Sequence, residues 1–157
     1  MHFDRLTRLA VPAIVVAIAC SSALAQAPEP TKAEKTLKYR KAVYQVIAWN
    51  FAPMSAMVQG KIPYDAKDFE IRAQRVAELA PMLSESYTAE TQSVTGSKAK
   101  AELWSNRADF DAKMKDLVDR SATLATVAKA GDPAKSKAAF LDTANTCKAC
   151  HDKYKAD

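Results

Sequence analysis

The chain has 157 residues, enough for one domain. Hydrophobic residues make up 48% and charged residues 26%, an ordinary globular balance, and three glycines beside abundant alanine, lysine and glutamate favour helix over sheet. The net charge of +5 is spread as alternating lysines and acids. That is a solvated surface, not the basic block with interleaved aromatics that nucleic acid requires.

Residues 1–25 read as a secretory signal peptide. Arg5 and Arg8 form a basic start, Leu9 to Ala19 an apolar core too short to anchor in a bilayer, and Ala23-Leu24-Ala25 a small-residue cleavage site. Cys20 as an acylated residue is the weaker alternative, since Ala17 is a poor match three positions before it. No second long apolar stretch follows, so no membrane span is expected and the mature protein should be exported to the periplasm. Cleavage removes Arg5, Arg8 and Asp4, leaving a charge of +4. It also removes His2 and Cys20, so the mature chain keeps one histidine, His151, and two cysteines, Cys147 and Cys150.

Four helices are expected. Thr31-Lys32-Ala33-Glu34 has the form of a capping box, opening a helix from about Lys32 to Gln59 that stops at Gly60. Leu37, Arg40, Tyr44, Ile47, Phe51, Met54 and Val58 form a stripe along it. Arg40 and Tyr44 are out of place in a plain core, because a buried guanidinium needs a partner and a phenol needs something for its hydroxyl. By itself the pattern suits an arginine that snorkels and a tyrosine bonded to a carbonyl. Asp65 caps a second helix, about Ala66 to Ser84, which Pro81 should kink or end. Residues 85–100 lack a period and read as a long loop. A third helix is predicted over 101–129, and Gly131-Asp132-Pro133 stops it and starts a fourth, Pro133 to about Tyr154. Short connections imply an all-α, antiparallel up-down-up-down four-helix bundle.

The last helix carries Cys147-Lys148-Ala149-Cys150-His151. Two thiols three apart, followed at once by an imidazole, can add across both vinyl groups of a haem while His151 reaches the iron. Zinc lacks a fourth ligand in the mature chain, and a redox C-x-x-C normally follows a strand pattern that is missing here. One covalent haem c near one end of the bundle is the expectation. A haem also changes the reading of Arg40 and Tyr44, since propionates supply an anion and iron a polar centre. Trp49 and Trp104 fall at helical spacing and read either as core or as haem-lining residues.

A C-terminal C-x-x-C-H on the last of four helices resembles the class II c-type cytochromes, specifically the cytochrome c′ family, for which a four-helix bundle is the known architecture. Tyr39-Arg40-Lys41, Gly60 to Asp65, Leu103-Trp104-Ser105, Gly131-Asp132, Lys137 to Phe140 and Cys147 to Tyr154 look like family segments in family order. The resemblance implies a five-coordinate iron held by His151 and a crowded distal pocket. It places Tyr44, sixteen positions before Gly60, on the distal side, where low-spin relatives carry methionine. Arg40 takes the position of the arginine beside the haem propionates. Lys155 takes that of a proximal basic residue that is often arginine, and lysine lacks the planar fork. A homodimer through the first two helices is a further implication.

With no second histidine, and with Met54 and Met57 about 15 to 20 Å further along the helix than Tyr44, nothing is placed to fill the sixth position. The leading expectation is a haem protein that binds small gases, nitric oxide and carbon monoxide, in nitric oxide scavenging or buffering. A one-electron carrier is the alternative. No paired carboxylates, nucleophile with base or phosphate loop suggests enzymatic turnover.

Overall fold

The computed structural model describes residues 28–156; the signal peptide expected over 1–25, with His2 and Cys20, lies outside them. Local capping sets most helix boundaries. The Thr31 hydroxyl accepts from the Glu34 amide while Glu34 accepts from the Thr31 amide, opening α1, Lys32–Val58. Gly60, at φ +69°, closes that end in the left-handed conformation open to glycine. Asp65 accepts from the amides of Lys67 and Asp68 and starts α2, Ala66–Ser84. Asp132 does the same for α5, Pro133–Tyr154, through Ala134 and Lys135.

The second helix has the expected bounds: Pro81 lies exposed inside it near the C-terminal end, where a lost helix hydrogen bond costs least, and the helix runs on to Ser84. One expectation needs correction. The single helix expected over 101–129 is divided into a short α3, Glu102–Ser105, and a long α4, Arg107–Lys129. Asn106 makes the break at φ −115° and ψ 45°, its side-chain amide donating to the Glu102 carbonyl at 3.2 Å. Such a side chain competes with the helix for backbone groups.

Among the described residues the fold is all-α, with α1, α2, α4 and α5 forming a four-helix bundle. The core divides along the bundle. At one end Met54, Met57, Phe69, Val76, Leu124 and Phe140 pack with Phe51, whose ring stacks on Phe140 at 4.3 Å between centroids. At the other, Val43, Leu83, Tyr87, Leu103, Phe110, Met114 and Tyr154 form a second cluster. There α1 and the end of α5 stand apart, and the space between them is a cavity of about 460 Å³. The loop between α2 and α3 closes one side. An isolated antiparallel bridge joins Ala99 to Lys155, with the Lys100 amide donating to the Tyr154 carbonyl at 2.9 Å and the Ala156 amide to the Lys98 carbonyl at 2.8 Å. The loop is thereby fastened to the chain directly after the C-x-x-C-H run.

Candidate functional site

The cavity has three walls. One turn after another of α1 contributes Leu37, Arg40, Tyr44 and Ala48; α5 contributes Cys150, His151 and Tyr154; the loop contributes Tyr87 and Gly96 to Ala99. Leu103 and Phe110 complete an apolar floor. The sequence placed Arg40, Tyr44, Cys150, His151 and Lys155 at the site, and all five line this cavity. Tyr87 and residues 96–99 were missed. They lie in the aperiodic loop, and no local pattern announces a contact made across more than forty residues of chain.

Arg40 is the best-held polar group. It is 4% exposed, its Nε donates to Ser86 Oγ at 3.2 Å, and its Nη2 donates to Thr91 Oγ1 at 2.7 Å and to the Ser86 carbonyl. Its Cζ sits 3.8 Å from the centroid of the Tyr87 ring. The snorkelling reading is therefore wrong: the loop supplies acceptors that bury the guanidinium. Tyr87 in turn meets Phe110 edge-on at 4.7 Å, and Phe110 meets Tyr154 at 5.6 Å, so a line of stacked groups runs from α1 through α4 to α5. Tyr44 is half-buried, and its hydroxyl pairs with that of Tyr87 at 3.1 Å instead of with a backbone carbonyl. Burial, then the proximity of Tyr87, raises the Tyr44 hydroxyl far above the ordinary phenol value, so it stays protonated.

On α5, His151 is exposed on one side and lines the cavity on the other. Burial, then the charge of Lys155, lowers its pKa, which favours an uncharged ring with a free lone pair at neutral pH. Cys147 and Cys150 are free, half-buried thiols, and burial raises both. Cys150 faces the cavity, whereas Cys147 is not among its lining residues. Trp104 is partly buried against the second core cluster and is not among the lining residues either, although its Nε1 is buried without a partner among the described residues. Trp49 is neither core nor lining: it is 75% exposed on the outer side of α1.

These residues fit a haem. Arg40 Nη1 is buried with no partner among the described residues, on a side chain that lines the cavity, which leaves a cationic donor for an anionic group. The cavity offers a mostly apolar floor, a neutral imidazole and an unpaired thiol, with a second thiol one turn away on the same helix.

The cytochrome C' family model matches residues 35–155. The chain is 34% identical over 124 residues to cytochrome c' of Alcaligenes xylosoxydans xylosoxydans, covering 79% of this chain and 95% of that protein. It is 34% identical over 119 residues to cytochrome c' of Rubrivivax gelatinosus, covering 76% and 92%. Among solved structures, cytochrome c prime from Shewanella frigidimarina superposes with a TM-score of 0.78 at 40% identity, over 82% of this chain and 100% of that one. A nitric oxide complex of a mutant cytochrome c prime from Alcaligenes xylosoxidans superposes at 0.74 with 33% identity, over 82% and 100%. Agreement of this extent in both sequence and bundle geometry means that the chain belongs to the cytochrome c′ family, which binds c-type haem.

Proposed function

We propose that this chain is a periplasmic protein carrying one haem c, attached through Cys147 and Cys150 with His151 as the axial iron ligand, and that it binds nitric oxide, and carbon monoxide when reduced, beneath Tyr44. The haem would supply an iron with one open face for a small diatomic. Arg40 would hold a propionate through its free Nη1, while Ser86 and Thr91 fix the rest of its guanidinium. Lys155 would lend positive charge on the His151 side.

The observation that carries this reading is the composition of the cavity wall. Among the described residues it includes one histidine, His151, and no methionine. Met54 and Met57 belong to the core cluster at the far end of the bundle, and Met82 and Met114 pack into the near cluster without lining the cavity. This lining supports a five-coordinate iron open to gases, and the nitric oxide complex of the Alcaligenes relative supports the ligand class. Scavenging or buffering of nitric oxide is the role we assign, with no catalytic turnover. Export rests on the leader over 1–25. A homodimer is supported by Val46 and Trp49, exposed one turn apart on the outside of α1.

The second reading, a one-electron carrier, draws support from Lys41, Lys98 and Lys155, which line the cavity as exposed residues and suit an acidic redox partner. Optical spectra decide between the two. The secreted protein should have the mass of the mature chain plus one haem, a high-spin ferric spectrum, and a ferrous form that changes on titration with nitric oxide or carbon monoxide. A low-spin spectrum with a methionine-to-iron band would favour the carrier, and a mass without haem would overturn both.

A further inference from the structure

Two phenols meet at the cavity wall. Tyr44 of α1 and Tyr87 of the loop both line it, with their oxygens 3.1 Å apart. The pair holds two hydroxyl protons, and the bond between them uses one. Among the described residues neither oxygen has another partner, so the second O–H has no protein acceptor and is available to a ligand in the cavity that both residues line.

The surroundings decide which tyrosine keeps it. The Arg40 guanidinium lies against the Tyr87 ring at 3.8 Å, and a cation on the ring face draws electron density from the phenol and strengthens its O–H as a donor. Tyr87 is also clamped in place: Phe110 packs edge-on to its ring, and Arg107 Nη1 donates to its carbonyl at 2.6 Å. Among the described residues Tyr44 has no cation stacked on its ring. Tyr87 is therefore the donor within the pair, and acceptance of that bond polarises the Tyr44 hydroxyl in turn.

We infer that Tyr87 is a positioning residue that donates to Tyr44 and thereby aims the Tyr44 hydroxyl at the ligand position, giving a mostly apolar pocket one directed hydrogen-bond donor. The inference rests on the gas-binding reading above and adds a selectivity to it. Ligands whose outer atom gains negative charge on binding, or that are themselves anions, are favoured over those that stay neutral. Oxygen, which a wholly apolar pocket would bind poorly, is retained better than packing alone would allow.

The test uses the haem-loaded protein with Tyr44→Phe and Tyr87→Phe, which keep both rings and the Arg40 stack. In the reduced protein saturated with carbon monoxide, infrared spectroscopy reads the C–O stretch, which a donor at the oxygen lowers and a merely structural change leaves in place. Tyr44→Phe should raise the stretch fully and Tyr87→Phe part of the way. Fluoride affinity of the ferric protein should fall about tenfold in the first variant, the worth of one hydrogen bond to a charged group, and less in the second. A stretch unmoved by either substitution, or moved further by Tyr87→Phe than by Tyr44→Phe, overturns the inference while leaving gas binding intact. Failure of the reduced wild-type protein to take up carbon monoxide at all overturns the gas-binding reading, and this inference with it.

Discussion

Arg40→Met tests how the α2–α3 loop is held against the cavity. The substitution removes three hydrogen bonds, from Nε to Ser86 Oγ and from Nη2 to Thr91 Oγ1 and the Ser86 carbonyl, together with the stack on Tyr87. Bonds from a charged donor are worth about 1.5–3 kcal/mol each, but that gross sum overstates the loss. Ser86 Oγ keeps its bond to the Leu83 carbonyl at 2.6 Å, and Thr91 Oγ1 keeps its bond to the Thr88 carbonyl at 2.8 Å. Among the described residues the Ser86 carbonyl is the acceptor stranded by the change, at about 1–3 kcal/mol, and the propionate proposed to lie on Nη1 would lose its partner as well. Loss of a desolvated cation–π contact adds about 1–2 kcal/mol. Against these stands relief from burying a charge, which an apolar side chain of similar reach partly recovers. The net expectation is a destabilisation of about 2–3 kcal/mol in urea unfolding of the haem-loaded protein followed by circular dichroism. Arg40→Lys should lose less, since it keeps the charge but lacks the fork that spans Ser86 and Thr91. The reduction potential of Arg40→Met should also fall, because a positive charge that favours the reduced state has gone. A loss below about 0.5 kcal/mol, the ordinary range for a surface change, would refute the claim that Arg40 anchors the loop.

Four further outcomes follow from the same geometry. Phe110, 1% exposed between the Tyr87 and Tyr154 rings, should cost about 3–5 kcal/mol on replacement by alanine, read by denaturant unfolding; a cost near 1 kcal/mol would mean that the stack is not part of the core. Cys147→Ser and Cys150→Ser should each leave haem attached through one sulfur, and the double variant should be secreted without covalent haem, as intact mass will show. Trp49→Glu should weaken self-association at least tenfold, about 1.4 kcal/mol, in sedimentation velocity, and an unchanged dimer would place the interface elsewhere. Asp109 accepts from the Tyr154 hydroxyl and pairs with Lys153; the first and then the second hold its carboxyl below the usual value. A depressed folded pKa contributes stability above the unfolded value and loses it as pH falls through the folded one. Asp109→Ala should therefore flatten the fall of Tm with acid below about pH 4, and an identical acid limb in the two proteins would contradict this.

What could be read directly from the chain were features whose partners lie within a few residues. Thr31 with Glu34, Asp65 with Lys67 and Asp68, and Asp132 with Ala134 and Lys135 each close a cap inside one turn, so three of the four bundle helices began where composition and spacing put them. The C-x-x-C-H run is equally local, and it named the cofactor because the chemistry needs those residue types at that spacing. Asn106 shows the limit of periodicity: the apolar repeat continues through it, yet its backbone leaves the helical range at φ −115° and ψ 45° and the helix is divided.

Tertiary structure decided the rest, because the remaining choices depend on which surfaces meet. The helix-one repeat supplied apolar residues on several sides, and the position of the other helices determined that Val43 and Met54 are buried while Val46 and Trp49 face outward. Arg40 was recognisable as a problem from its position in a buried stripe, but its solution, Ser86, Tyr87 and Thr91, lies more than forty residues away in a loop with no period. Charge and hydroxyl groups announce in sequence that they need partners. Only the folding of a distant segment against them determines which partners they find.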